Sequence, residues 1–115
     1  MILTRDEILE IGVARDVQTL AVPEWGGEVM IREITAGEYD RLQVMTQNAL
    51  DSKADETKIR ANWVAAFLSD EEGARLFKDS EVSKVSAMGA KAIDRIYDAG
   101  QLFNALDESE DLEKN

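Results

Sequence analysis

Two periodicities divide the chain. Apolar residues fall three or four apart over most of its length, the spacing of one helix face, but alternate with polar residues over residues 16–34, the spacing of a strand. Thr4 and Glu7 form a capping box: the threonine caps the first turn and the glutamate reaches back to the Thr4 amide. They open a short helix over residues 5–13 whose apolar side is Ile8, Leu9 and Ile11. So short a helix has to dock on something. In the alternating stretch, Leu20 and Val22 share one face and Thr19 and Ala21 the other. Val29 and Ile31 then point one way, Met30 and Ile34 the other. Between the two runs lies Val-Pro-Glu-Trp-Gly-Gly, residues 22–27, with the only proline and two adjacent glycines. Pro23 cannot donate to a ladder and marks a strand end, so a hairpin with a loop of roughly four to five residues follows.

Thr35 and Glu38 make a second capping box and start a helix over residues 36–49 with Tyr39, Leu42, Met45 and Ala49 on one face. Residues 51–58 are polar and read as a turn. A helix over residues 55–68 carries the stripe Ile59, Trp63, Ala66 and Phe67. Ser69 and Glu72 suggest a third box and a short helix reaching Phe77, with Leu76 and Phe77 plugging the core. Ser80 precedes a long helical region over residues 81–106, striped by Val85, Met88, Ala92, Ile96, Ala99 and Phe103. Gly89 and Gly100 mark a kink or a close approach of another helix. The small residues Ala87, Gly89, Ala90, Ala92 and Ala99 suit packing on Trp63 and Phe67, or on another copy. The expected fold is mainly α with one β-hairpin (α+β): a single domain over residues 1–106, then an acidic tail over residues 107–115 with five acids and one lysine.

Composition narrows the function. At 115 residues and 44% hydrophobic, the chain suffices for one domain with a real core. Its 24 acids against 13 bases give a net charge of −11, which repels nucleic-acid phosphate and anionic membranes. Cys and His are absent, which removes thiol and imidazole nucleophiles and the commonest transition-metal ligands. The N-terminus has acids where a signal peptide has a basic region, and no apolar run approaches the ~20 residues that span a bilayer. A soluble cytoplasmic protein without metal or cofactor is expected.

Candidate chemistry is sparse. Asp70, Glu71 and Glu72 have the ingredients of a metal site, but acids at a helix start also cap amides and suit the macrodipole, and the structural role is expected. The tail acids Asp107, Glu108, Glu110, Asp111 and Glu113 lack the glycine and spacing of a calcium loop. No pair of carboxylates is set apart for acid–base work, and Gly26-Gly27 is no phosphate loop. An enzyme is not expected. Trp25, among turn formers, is either an exposed interface anchor or a ring folded back on the first helix. Trp63, in mid-stripe, belongs to the core. The chain therefore reads as a protein that works by contact, with Leu3, Ile8, Trp25, Met30 and Arg32 as interface candidates.

Four stretches together resemble the tail assembly chaperones of bacteriophages with long, non-contractile tails. They are the capped start from Leu3 to Ile8; Pro-Glu-Trp-Gly-Gly leading to Arg32 and the Thr-Ala-Gly-Glu helix start at Thr35; Ala65-Ala66-Phe67 followed by Leu76 and Phe77; and Ala92-Ile93-Asp94-Arg95-Ile96 ahead of Asn104 and Leu106. The resemblance implies a mainly helical chaperone of virion morphogenesis that coats the tape measure protein, self-associates into open, spiral-like arrays and is absent from the finished particle. It implies action in the host bacterial cytoplasm. It also implies a longer form, made by programmed frameshifting, whose added domain contacts tail tube protein. The codons GAA AAA AAC would encode Glu113-Lys114-Asn115 and contain a slippery heptamer, which sequencing of the gene would reveal or remove. The rival is an acidic mimic of DNA that binds a basic host protein. Such a mimic needs acids arrayed on one face, whereas here 13 basic residues are interspersed.

Overall fold

A computed structural model describes residues 1–52 and 56–105. Helix α1 spans Arg5–Gly12. Strands β1 (Val17–Val22) and β2 (Gly27–Arg32) form the expected hairpin, joined through a 3-10 turn at Pro23–Trp25. Gly26 closes that turn with φ of 70°, a left-handed conformation that a side chain would resist. Helix α2 (Ala36–Ser52) leads, after a further 3-10 turn, to α3 (Ile59–Phe67). A two-residue strand β3 (Leu68–Ser69) follows, then α4 (Val82–Ser86) and α5 (Ala90–Phe103).

The antiparallel sheet has the order β1-β2-β3. Its register pairs Leu20 with Val29 and Val22 with Gly27, and Ile31 meets Leu68 of β3. Val22, Ile31 and Leu68 are thereby sealed beneath α3, α4 and α5 with Val64, Val85, Ile93 and Ile96. A second cluster, Ile34, Leu42, Trp63, Ala66 and Phe67, fills the space between α2 and the other side of α3. Helix α3 serves both clusters, which is why six of its nine residues are buried and its apolar character runs nearly all round. Trp63 donates its indole N–H to the Thr46 hydroxyl at 3.0 Å and meets Tyr39 edge-on at 5.9 Å.

Two expectations of secondary structure need correction. First, residues 69–77 form no helix. Ser69 is drawn into β3, and the Asp70 carboxylate accepts the amides of Glu72 and Ala74 at 2.8 and 3.0 Å, closing a turn around Gly73 (φ 87°). An acid that can bond its own following amides competes with the helix it might have capped. Leu76 is consequently exposed, while Phe77 does pack on the first cluster. Second, the long C-terminal helix breaks at residues 87–89, where Gly89 is extended (ψ 136°) and serves as the N-cap of α5. Helix α1, expected to dock on something, has none of its residues buried among the described residues. The predicted start of α3 at Asp55 and the acidic tail fall outside the described residues.

Carboxylates pinned by arginines and amides set the acid limit of this fold. Burial opposes ionisation of Glu38, but hydrogen bonds from Arg32 and the Thr35 amide, with the Arg32 charge, outweigh it and hold the carboxyl below its ordinary value. Asp79 is lowered first by its hydrogen bond from Arg41 and then, against burial, by Arg75. A folded-state pKa below the unfolded one means that the unfolded chain binds the proton more tightly. The stabilisation is complete above the ordinary carboxyl range and is lost as pH falls through the folded values. With no histidine present, urea midpoints should stay nearly flat from about pH 6 to 8 and fall steeply below about pH 4.

Candidate interaction surface

The N-terminal segment is built to be seen. Thr4 Oγ1 accepts the Glu7 amide at 3.3 Å and Glu7 Oε1 accepts the Thr4 amide at 2.9 Å, the predicted box. The helix so started leaves Met1, Ile2, Leu3, Ile8, Leu9 and Ile11 in solvent, with Ile8 54% and Val13 70% exposed. Exposed apolar side chains gathered on one short element are the kind of patch that interaction sites use. The candidates Leu3 and Ile8 are both exposed.

Trp25 is 44% exposed at the hairpin tip, which favours the anchor over the folded-back ring. The tip is held still by its neighbour. Glu24 takes two hydrogen bonds from the Arg95 guanidinium of α5, at 2.9 and 3.0 Å, and these hold its carboxyl below the usual range. A tryptophan on a pinned turn loses little freedom when it meets a partner. Met30 is half-buried, and its sulfur accepts the Thr19 hydroxyl across the hairpin at 3.3 Å.

Arg32 is a correction: it is 5% exposed and turned inward. Its Nε donates to the Ala66 carbonyl at 2.8 Å and its Nη2 to Glu38 Oε2 at 2.6 Å. Glu38 Oε1 accepts the Thr35 amide at 2.8 Å. Asn104 completes the junction. It accepts the Ile34 amide at 2.8 Å and donates to the carbonyls of Arg32 and Gly100 at 3.1 and 3.0 Å. One polar knot thus ties the end of β2, the start of α2 and the last turns of α3 and α5. A strand-borne arginine just ahead of a capping box gives no sequence signal of which way it points. Only the chain's path past Ala66 shows it.

Beside this knot the surface opens into a groove of about 430 Å³. Ile34, Tyr39 and Phe103 form its apolar side, and Asp16, Glu33 and Asp40 stand among its lining residues. Nothing in the sequence brought these three acids together, since they come from the loop before β1, the β2–α2 turn and α2. Among the described residues no group of three or more acids is arranged to hold a metal, and Asp70 serves its turn. Among them, too, no helix is long and apolar enough to cross a membrane.

These features can be set beside known proteins. The family model described as phage tail assembly chaperone matches residues 5–115. No curated protein matches the chain. Among solved structures, the tail assembly chaperone of bacteriophage HK97 superposes with a TM-score of 0.60 at 22% identity, over 84% of this chain and 97% of that one, a likeness of fold. The match runs from the first residue of α1 through the hairpin, the polar knot and both core clusters, and on that ground the chain belongs to the phage tail assembly chaperone family.

Proposed function

We propose that this chaperone binds the tape measure protein during tail morphogenesis in the host bacterial cytoplasm, self-associates into open arrays, and in a longer form recruits tail tube protein. The observation that carries this reading is the apolar segment at residues 1–13, displayed on a capped helix with no buried residue among the described residues. A helix of eight residues is marginal by itself, so contact with another chain is what would stabilise it. Apolar anchors of this kind lay into grooves on a partner, and a net charge of −11 limits uncontrolled aggregation while complementing a basic partner. A head-to-tail contact between copies generates an open array where the rotation does not close.

The test is co-expression with the tape measure gene of the same phage. The wild-type chain should keep the tape measure protein soluble and co-purify with it, and light scattering of the chain alone should show species that grow with concentration. The double substitution Ile8→Asp, Leu9→Asp should abolish both behaviours. Because both side chains are exposed, its thermal unfolding should stay within about 0.5 kcal/mol of wild type. Tape measure protein that stays insoluble beside the wild-type chain refutes the partner. A double variant that assembles and captures normally removes α1 from the contact.

A further inference from the structure

No residue of the apolar helix α1 lines the groove beside the polar knot, and the groove has a different chemistry. Its apolar side is Ile34, Tyr39 and Phe103, and Asp16, Glu33 and Asp40 supply three carboxylates. All three acids are exposed, and none takes part in an ion pair or side-chain hydrogen bond among the described residues. No basic residue lines the groove. The neighbouring arginines are engaged elsewhere: Arg32 with Glu38 and the Ala66 carbonyl, Arg41 with Asp79, and Arg15 with the Gly12 and Ala14 carbonyls. The nearby start of α2 would by itself draw an anion, but Glu38 and Thr35 already occupy two of its amides. The groove is also stiff. Asn104 locks the Ile34 amide, and Tyr39 is braced by Trp63.

We propose that this groove docks a cationic amphipathic segment of another tail protein, with an apolar side chain seated on Ile34, Tyr39 and Phe103 and lysine or arginine side chains reaching Asp16, Glu33 and Asp40. The inference rests on the reading that the chain holds a second tail component, and it names the chemistry recognised. Its size suits a few side chains, since pockets that engage ligands run from about 300 to 1,000 Å³. A second copy is a poor occupant. The exposed apolar segment of this chain carries Asp6, Glu7 and Glu10 against Arg5 alone, so its acids would face acids.

The experiment uses the full chain labelled with nitrogen-15 and two synthetic helical peptides with the same leucine stripe, one carrying lysines on its polar face and the other glutamates. The lysine peptide should shift the amide signals of residues 33–40 and 103–105 and lose affinity as salt rises, since exposed charges are screened within about 10 Å at 0.1 M. The glutamate peptide should leave those signals in place. The triple substitution Asp16→Asn, Glu33→Gln, Asp40→Asn should weaken the lysine peptide about ten-fold, as three partly screened contacts require, without lowering thermal stability. In co-expression, the same variant should capture less tape measure protein although α1 is intact. Equal binding of both peptides, shifts scattered over the acidic surface, or groove signals that change when the chain is merely concentrated would each overturn the proposal, the last in favour of a second copy. A wild-type chain that binds the lysine peptide in the groove but ignores the tape measure protein keeps the groove and refutes that partner.

Discussion

Arg32→Met should destabilise the protein by about 3–5 kcal/mol, the cost of stranding one member of a buried ion pair. The Arg32 side chain is 6% exposed and that of Glu38 17%, so solvent does little to screen the charge left behind. The same substitution strips the Ala66 carbonyl of its donor at the end of α3. Against a total stability of about 5–15 kcal/mol, the loss should lower the melting temperature by more than about 10 °C. The informative partner is Arg32→Met with Glu38→Gln. A neutral glutamine keeps an acceptor for the Thr35 amide and removes the stranded charge, so the double variant should recover at least about 1 kcal/mol over the single one. Urea unfolding of the four proteins measures the cycle. A cost below about 1 kcal/mol for Arg32→Met would class the pair with surface salt bridges and break the account of the knot. The result bears on function as well. A buried arginine should affect partner capture only as far as it unfolds the protein, whereas an interface arginine would lose capture while staying folded.

Gly100→Ala should be destabilising by about 2 kcal/mol or more, although helix propensity alone predicts a gain of about 1 kcal/mol for this change. A β-carbon at Gly100 would overlap Cδ2 of Phe67 and stand 2.5 Å from its Cγ and Cε2. The ring cannot retreat cheaply, because Phe67 is fully buried and stacks obliquely on Trp63 at 5.9 Å. A close-packed interior answers such an intrusion by straining rotamers and backbone. Gly37→Ala is the matched control. It lies in the first turn of α2 with nothing near its would-be β-carbon, and it should stabilise by about 0.4–1 kcal/mol. Opposite signs at two helical glycines, read from chemical denaturation, would establish that packing on Phe67 decides the first. Phe67→Leu in the Gly100→Ala background should return part of the loss by reopening the contact, and a Gly100→Ala protein as stable as wild type would show that α3 and α5 are not in such close approach.

The fold and the contact surface were legible to different degrees. The hairpin was readable because its signals are local: β-branched alternation, one proline and a glycine that accepts a left-handed turn. The capping boxes at Thr4 and Thr35 were readable for the same reason, since donor and acceptor lie three residues apart. The box imagined at Ser69 failed because its neighbour Asp70 had a better local bond to make, and because β2 offered Leu68 and Ser69 a ladder. Leu3 and Ile8 read as interface candidates and both are exposed, while the sequence asked only that α1 dock on something. An apolar stripe records that something covers it, not whether the cover belongs to the same chain.

What the sequence determined by itself is the set of elements and the overall charge. Period, caps and turn residues act within a few positions, and the −11 balance needs no coordinates. What the tertiary structure alone decided is which residues meet. Arg32 turned inward to Glu38 and Ala66, Asn104 tied to Arg32 and Ile34 across about seventy residues, Glu24 pinned by Arg95, and three acids from separate segments around one groove are all long-range pairings. Their partners are chosen by how α3 packs between the sheet, α2 and α5, because burial leaves each polar group only the donors and acceptors that the packing brings within about 3 Å.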